Sequence, residues 1–438
     1  MDLSIVIPAM NEAENIAALI PEIEQAAQSL GLKYEILLMD GGSVDGTDRI
    51  AREKHATVIS QKTRGYGGAI SEGLAAAQGD YVLTMDADLS HDPAFLATFW
   101  NARDQGELII GSRYVPGGTA EMPAARKLLS RILNVFFGQG LSIPWKDLSS
   151  GFRLYRTSAV KHLQLQSINF DILQEILIRG YAQGWRVMEV PIRYKPRQIG
   201  SSHAKLLRFG IAYLRTFRRM WNLRNSIQCA DYDDRAHNSK IPIQRYWQRR
   251  RYSIIEDFGS NHGLTLDIGC GSSRILSSKV RPIGMDILIN KLLYARKFGR
   301  PLLNASIWSL PFPDQTFDCV VCSEVIEHID SGLKPFLEMR RILKTGGTLV
   351  LGTPDYGHLT WRMIERIYGW IVPGGYADEH ITHYTFKSLK ELVESLGFRV
   401  IQHKYICRSE LIFQCILTNS TGNEAPSSAQ IDKDKTAT

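Results

Sequence analysis

The sequence predicts two consecutive α/β domains, each an open, mostly parallel sheet covered by helices on both faces. Short runs rich in Ile, Val and Leu alternate with helical stretches from Leu3 to Tyr114, and a second alternating series starts near Leu264. Such strands read as buried on both faces. The 438 residues suffice for two or three separate cores. Between the two series lies a basic segment with a helical stretch, Leu206 to Leu223, and an irregular one, "NSIQCADYDDRAHNSKIP".

In chain order, "LSIVIPA" is a strand and "NEAENIAALIPEIEQAAQSL" a helix. "YEILLMD" is a strand entering a glycine turn, and "ATVIS" is the next strand. "GGAISEGLAAAQG" is a helix closed by Gly79, followed by the strands "YVLTMDAD" and "ELIIGSRY". In the second series "GLTLDIGCG", "RPIGMDI", "TFDCVVCSEV" and "GGTLVLGTP" are strands. "SLKELVESLGF" is a helix ended by Gly397 and followed by "RVIQHKYI". The reading divides the chain into 1–205, a basic helix and linker at 206–245, a second domain at 246–418 and a disordered polar tail at 421–438.

The composition, 44% hydrophobic and 22% charged, is that of a globular protein. Six cysteines in this length make no disulfide framework and point to a reducing compartment. Cys319-Val-Val-Cys322 lies in an apolar run without a second Cys pair, so it reads as buried strand cysteines. "DLSIVIP" is a first strand with no basic region before it, and no apolar run reaches the roughly 18 residues of a membrane span. These signs predict a cytoplasmic protein, free or peripheral at the cytoplasmic face of a membrane. Eleven Lys/Arg stand against three Asp between Leu206 and Arg251, which is more than the whole chain's excess of +7. Local basicity of this kind suits anionic lipid or phosphate rather than a nucleic-acid groove.

Three polar clusters follow proposed strands, where open α/β sheets bind ligands. They are Pro8-Ala-Met-Asn-Glu12, Asp40-Gly-Gly-Ser-Val-Asp-Gly-Thr47 and the pair Asp86/Asp88 in "TMDADLSHDP". On a continuing strand Asp86 and Asp88 share a face and repel, unless a cation lies between them. Asp92 reads as a helix N-cap with Pro93 at the first position.

Residues 1 to about 205 resemble family 2 glycosyltransferases of the GT-A fold, nearest the dolichol-phosphate mannose synthase and polyprenyl-phosphate glycosyltransferase branch. The resemblance rests on "IPAMNEAENI", "DGGSVDGT", "RGYGGAISEGLAAAQGDYVLTMDADLSHDP", "GSRYVPGG", "RKLLSR", "DLSSGFRLYR", "GWRVMEVPIRY" and "RQIGSSHAK". It implies inverting transfer from a nucleotide sugar, GDP-mannose in that branch, to a polyprenyl phosphate. Carried over by motif, Pro8, Glu12 and Asp40 hold the nucleoside, while Asp86 and Asp88 hold Mg²⁺ or Mn²⁺. Arg113, Arg126 and Ser130 bind the acceptor phosphate, and Arg197 and Lys205 close over the donor diphosphate. Gly41 stands where many relatives carry a second Asp. A phosphate acceptor is already ionised at pH 7, so such a reaction needs cations beside two anions more than a strong base. On the helix 206–223, Arg208, Arg215 and Arg219 form a stripe opposite Tyr213, Leu214, Phe217, Met220 and Trp221. That face either lies on a membrane surface or packs on its own domain.

From about Tyr246 to Leu417 the chain resembles class I S-adenosylmethionine-dependent methyltransferases, through "LDIGCGSSR", "IGMDI", "SLPFPDQTFDCVVCSEVIEHI" and "RRILKTGGTLVLGTPD". The resemblance implies that Asp267, Gly269 and Gly271 contact the methionine end of S-adenosylmethionine and Asp286 its ribose. Ser306 and Ile307 replace the usual acid near the adenine, and His328, His380 and His383 are candidate bases. The expected whole is a bifunctional enzyme of cell-surface glycan synthesis with no nucleic-acid partner. The rival is a glycosyltransferase acting on a growing saccharide, with a non-catalytic S-adenosylmethionine-binding module behind it.

Overall fold

A computed structural model describes residues 1–122, 124–196, 206–259, 263–371 and 380–418. It divides into two compact units, Met1–Arg224 and Asn225–Thr438. The first holds β1 (Leu3–Ala9), β2 (Tyr34–Asp40), β3 (Thr57–Ser60), β4 (Tyr81–Thr84), β5 (Leu108–Ser112), β6 (Thr119–Ala120), β7 (Arg153–Arg156), β8 (Val187–Pro191) and β9 (Arg193–Tyr194). Seven of them form one sheet in the order β3-β2-β1-β4-β7-β5-β8, and β6 pairs with β9. Only β7 is antiparallel to its neighbours in that sheet. Alternation along β1 sends Leu3, Ile5 and Ile7 to one core and Val6 to the other. Helix Ala13–Ser29 covers the first face, and helices Tyr66–Ala76 and Ile172–Ala182 cover the second.

The second unit holds β10 (Thr265–Ile268), β11 (Ile283–Asp286), β12 (Leu302–Asn304), β13 (Phe317–Ser323), β14 (Leu343–Pro354), β15 (Phe398–Ile406) and β16 (Glu410–Leu417). Their order is β12-β11-β10-β13-β14-β16-β15, parallel except at the two strands of the far edge. Cys319 and Cys322 fall on opposite faces of β13, in separate cores, because a three-residue step on a strand reverses the side-chain direction. Burial pushes the Cys319 thiol up to about 12.

Several elements differ from the sequence reading. β4 ends at Thr84, so Asp86 and Asp88 sit in a turn instead of on one face of a continuing strand. Gly79 caps no helix, since that helix ends at Ala76; a Cβ at Gly79 would collide with the backbone of Leu3 and Ser4. The segment 206–245 is not one joint. Helix Leu206–Asn225 packs Met220, Tyr213, Phe217 and Trp221 on the first unit, leaving only Leu214 of the expected face exposed. Helices Tyr232–His237 and Pro242–Gly259 belong to the second unit. Nor is the basic segment a single charged patch. Arg224 is buried against the Leu141 carbonyl, Arg219 bonds Gln166 and Ser167, and Arg251 pairs with Glu324 and Glu410. Arg197, Lys205 and the tail 421–438 lie outside the described residues, as does the side chain of Arg126.

Candidate active sites

The parallel register of β1 and β2 sets Pro8 beside Met39 and Ala9 beside Asp40. The first two expected clusters thus leave the C-terminal ends of adjacent parallel strands. Asp40 is nearly buried, and its carboxylate accepts from the amides of Gly42 and Ser43 at 3.2 Å. Glu12 follows β1, its amide donating to Thr47 Oγ1 and its carboxylate accepting from Asn15. Asp45 ties the two turns together by accepting from the Ala13 amide and from Thr47.

The turn after β4, neighbour of β1, carries the third cluster. Asp86 accepts from Tyr66 Oη at 3.2 Å, and its amide donates to His91 Nδ1 at 3.0 Å. His91 is buried and stacked on Phe152, and burial pushes its pKa down. An imidazole that accepts at Nδ1 carries its proton on Nε2, which lies 3.9 Å from Asp86 Oδ2. Asp88 accepts from the Ser90 amide. Asp92 caps the following turn through the Ala94 amide, with Pro93 at its first position as the sequence predicts. A side chain at Gly151 would press on Tyr66 Oη and Asp86 Oδ1, at 2.6 and 3.2 Å. This close approach of backbone to Asp86 keeps the carboxylate in a narrow space.

Arg113, just after β5, is nearly buried and pairs in two-point fashion with Asp147: Nε to Oδ2 and Nη2 to Oδ1, each 2.7 Å. Burial opposes the guanidinium charge, but Asp147 holds its pKa above the ordinary range; Arg113 in turn holds Asp147 low against burial. Nη2 also reaches Ser149, which bonds Ser130, and Ser130 accepts from Tyr114 Oη. Arg113 and Ser130 are therefore joined in one polar chain, and helix Ala124–Gly140 supplies Ser130 and carries Arg126. Sequence reading assigned no role to Asp147, Ser149, Tyr114, Tyr66 or His91. The signal for the first two was present in the polar run "KDLSSG" just before β7.

In the second unit β10 enters the glycine turn, where Gly269 and Gly271 adopt φ of +70° and +53°, the left-handed region open to glycine. Asp286, ending β11, accepts from the Gly271 and Leu288 amides at 2.8 Å each. A cavity of ≈ 360 Å³ opens here, lined by Asp267, Gly269, Asp286, Ser306, Ile307, Trp308 and His328. Gly271 is not among the residues that line the cavity, and a Cβ there would collide with Asp233. Burial, then the charges of Asp286 and Asp233, pushes the Asp267 carboxyl well up. Asp233 and Lys291, a pair that sequence reading missed, also line the cavity and meet at 3.1 Å. Beside His328 sit fully buried Glu327 and His380, whose side chain is 1% exposed. His380 Nδ1 lies 2.7 Å from Tyr356 Oη and 3.2 Å from Glu365, and the His383 ring packs on Tyr356.

Residues 4–164 match the family model described as glycosyl transferase family 2, and residues 242–403 match one described as a methyltransferase domain. A dolichol-phosphate mannosyltransferase of Pyrococcus furiosus is 38% identical over 216 residues, covering 47% of this chain and 60% of that protein. A polyprenol monophosphomannose synthase of Mycolicibacterium smegmatis is 33% identical over 215 residues, covering 45% of this chain and 79% of that one. Among solved structures, glucosyl-3-phosphoglycerate synthase of Mycobacterium tuberculosis covers 50% of this chain and 80% of its own, with 21% identity and a TM-score of 0.40. A SAM-dependent methyltransferase of Thermotoga maritima covers 40% of this chain and 98% of its own, with 19% identity and a TM-score of 0.32. By its N-terminal unit the chain belongs to glycosyltransferase family 2, in the dolichol-phosphate mannose synthase-like branch, and a methyltransferase domain is fused behind it.

Proposed function

We propose that the first unit transfers a sugar, mannose from GDP-mannose, to a polyprenyl phosphate, and that the second transfers a methyl group from S-adenosylmethionine to a glycan or lipid acceptor. The observation that carries the first half is that three carboxylate-bearing turns follow the C-terminal ends of the adjacent parallel strands β2, β1 and β4. Glu12 and Asp40 suit a nucleoside. Asp86 and Asp88 would hold Mg²⁺ or Mn²⁺, and the confined Asp86 beside Gly151 and Tyr66 fits that role. A bound cation would neutralise the charge developing on the leaving diphosphate. His91 fixes the turn from below. Asp147 engages Nε and Nη2 of Arg113, leaving Nη1 as the part that would meet an acceptor phosphate. Ser130 and Tyr114 offer hydroxyls beside it, and Arg126, Arg197 and Lys205 retain their motif-based roles.

The acceptor is a lipid, and one surface suits a membrane. Helix Ala124–Gly140 exposes Leu128 (61%), Ile132 (56%), Val135 and Phe136. It meets helix Leu206–Asn225 through Phe136 and Phe217, and there Ile211 and Leu214 are exposed too. Lys127 is half-buried and Arg131, Arg215 and Arg218 are exposed on the same helices, a composition suited to anionic headgroups. No helix among the described residues is long and apolar enough to cross a membrane.

For the second half, S-adenosylmethionine supplies an electrophilic methyl group when bound. Asp286 suits a ribose, Asp267 and the glycine turn suit the amino-acid end, and Ile307 gives an apolar wall for an adenine. A direct test offers the chain GDP- and UDP-sugars and S-adenosylmethionine separately by calorimetry. Metal-dependent binding of a guanine nucleotide and metal-independent binding of S-adenosylmethionine are expected. Exclusive uridine-nucleotide binding would remove the mannose assignment, and no binding of S-adenosylmethionine would remove the methyl transfer.

A further inference from the structure

The wall of the second unit's cavity holds a group of side chains that methyl-donor binding does not explain. One ligand atom each from Glu327, His328 and His380 lies within 4.8 Å of the other two. These residues come from two segments some 53 positions apart, yet their placement is fixed. The amides of Ile381 and Thr382 both donate to the Glu327 carbonyl, and Thr382 Oγ1 donates to the Ile329 carbonyl. The two segments are thereby stitched together in one register, with the His328 and His380 rings 4.9 Å apart.

Glu327 is fully buried. Oε2 accepts from Thr353 Oγ1, while Oε1 has no hydrogen-bond partner among the described residues. A buried carboxylate oxygen without a donor is costly unless a cation completes it. The neighbouring cation, Arg251, is held by Glu324 and Glu410. His380 has the outer partners that a ligating imidazole uses: Nδ1 faces Tyr356 and Glu365, so the ligating atom would be Nε2.

We infer that Glu327, His328 and His380 form a second divalent-metal site, built from two imidazoles and one carboxylate in the wall of the methyl-donor cavity. That donor set suits a transition ion such as Mn²⁺, Fe²⁺ or Zn²⁺. Because His328 lines the cavity, an ion there would be within reach of an acceptor molecule. It would bind an acceptor hydroxyl and lower its pKa, so that the proton leaves to water. What the ion serves rests on the methyltransferase reading; whether it binds does not. The acceptor class that fits carries a hydroxyl beside a second oxygen ligand, as in a sugar diol or a hydroxy acid.

The test uses the full chain with Asp88→Ala, to silence the first unit's metal position, and Mn²⁺ alone as probe, counted by electron paramagnetic resonance. S-adenosylmethionine affinity is measured alongside. The expected result is one Mn²⁺ per chain, weakened at least roughly 10-fold by Glu327→Gln or His380→Ala, with S-adenosylmethionine affinity kept. Glu327→Gln preserves shape and decides the matter if His380→Ala does not fold. No Mn²⁺ bound by the Asp88→Ala chain, or binding unchanged by Glu327→Gln, would overturn the site and leave the cluster as a proton-transfer group. Loss of S-adenosylmethionine binding by the unmutated chain would instead count against the methyltransferase reading.

Discussion

Two buried carboxylates show how environment divides chemically identical side chains. Asp147 has a two-point guanidinium partner and stays ionised; Asp267 has acidic neighbours and is pushed toward its protonated form. Removing the charge of Asp147 strands a buried arginine. Asp147→Asn should therefore destabilise the first unit by about 3–5 kcal/mol, read as a lower denaturant midpoint, and should also impair sugar transfer. For Asp267 the sign is opposite. Its folded pKa lies above the unfolded 3.8, so the folded state binds the extra proton and stability is lost as pH rises from 3.8 through the folded pKa. Asp267→Asn should flatten that pH dependence in denaturation of the ligand-free chain while weakening S-adenosylmethionine binding. Gly151→Ala would push a methyl group against Tyr66 and Asp86. It should cut sugar transfer by roughly 10²-fold, since a displacement near 1 Å at reacting groups has that effect, and should leave S-adenosylmethionine affinity unchanged.

At the scale of elements, what could be read from the sequence follows from physics. Parallel strands buried on both faces are near-continuous apolar runs, so β1, β2, β4, β10, β13 and β14 were legible. The turns that follow them were legible because Asp and Gly have few other reasons to cluster there. β7 was not: it is four residues with an arginine at each end, and it lies antiparallel between β4 and β5. The Arg113–Asp147 pairing spans 34 positions, and no local pattern announces it. Helix Leu206–Asn225 stayed open between a membrane surface and its own domain for a related reason. Its amphipathic period says that one face is covered without saying by what, and here the first unit's own core covers it. An exposed apolar face lies on helix Ala124–Gly140 and continues onto Ile211 and Leu214. Ile132→Asp should lower pelleting with anionic vesicles, whereas charge reversal at the buried Arg224 should act on folding.

Over the whole molecule, each unit has its own sheet, cores and polar site. The two chemistries should therefore separate cleanly. Asp88→Ala is expected to abolish sugar transfer with S-adenosylmethionine binding intact, and Asp286→Ala the reverse. Transfer of a sugar onto a lipid phosphate is the activity proposed for the first unit. The measurement that tests it most directly is partition of radiolabel into the organic phase. The full chain is incubated with polyprenyl phosphate, Mn²⁺ and labelled GDP-mannose, UDP-glucose or UDP-N-acetylglucosamine in turn, beside the Asp88→Ala variant. Label is expected in the lipid phase from GDP-mannose and should be lost in the variant. Absence of lipid label with every donor, from a chain that still binds nucleotide, would contradict it and favour a saccharide acceptor.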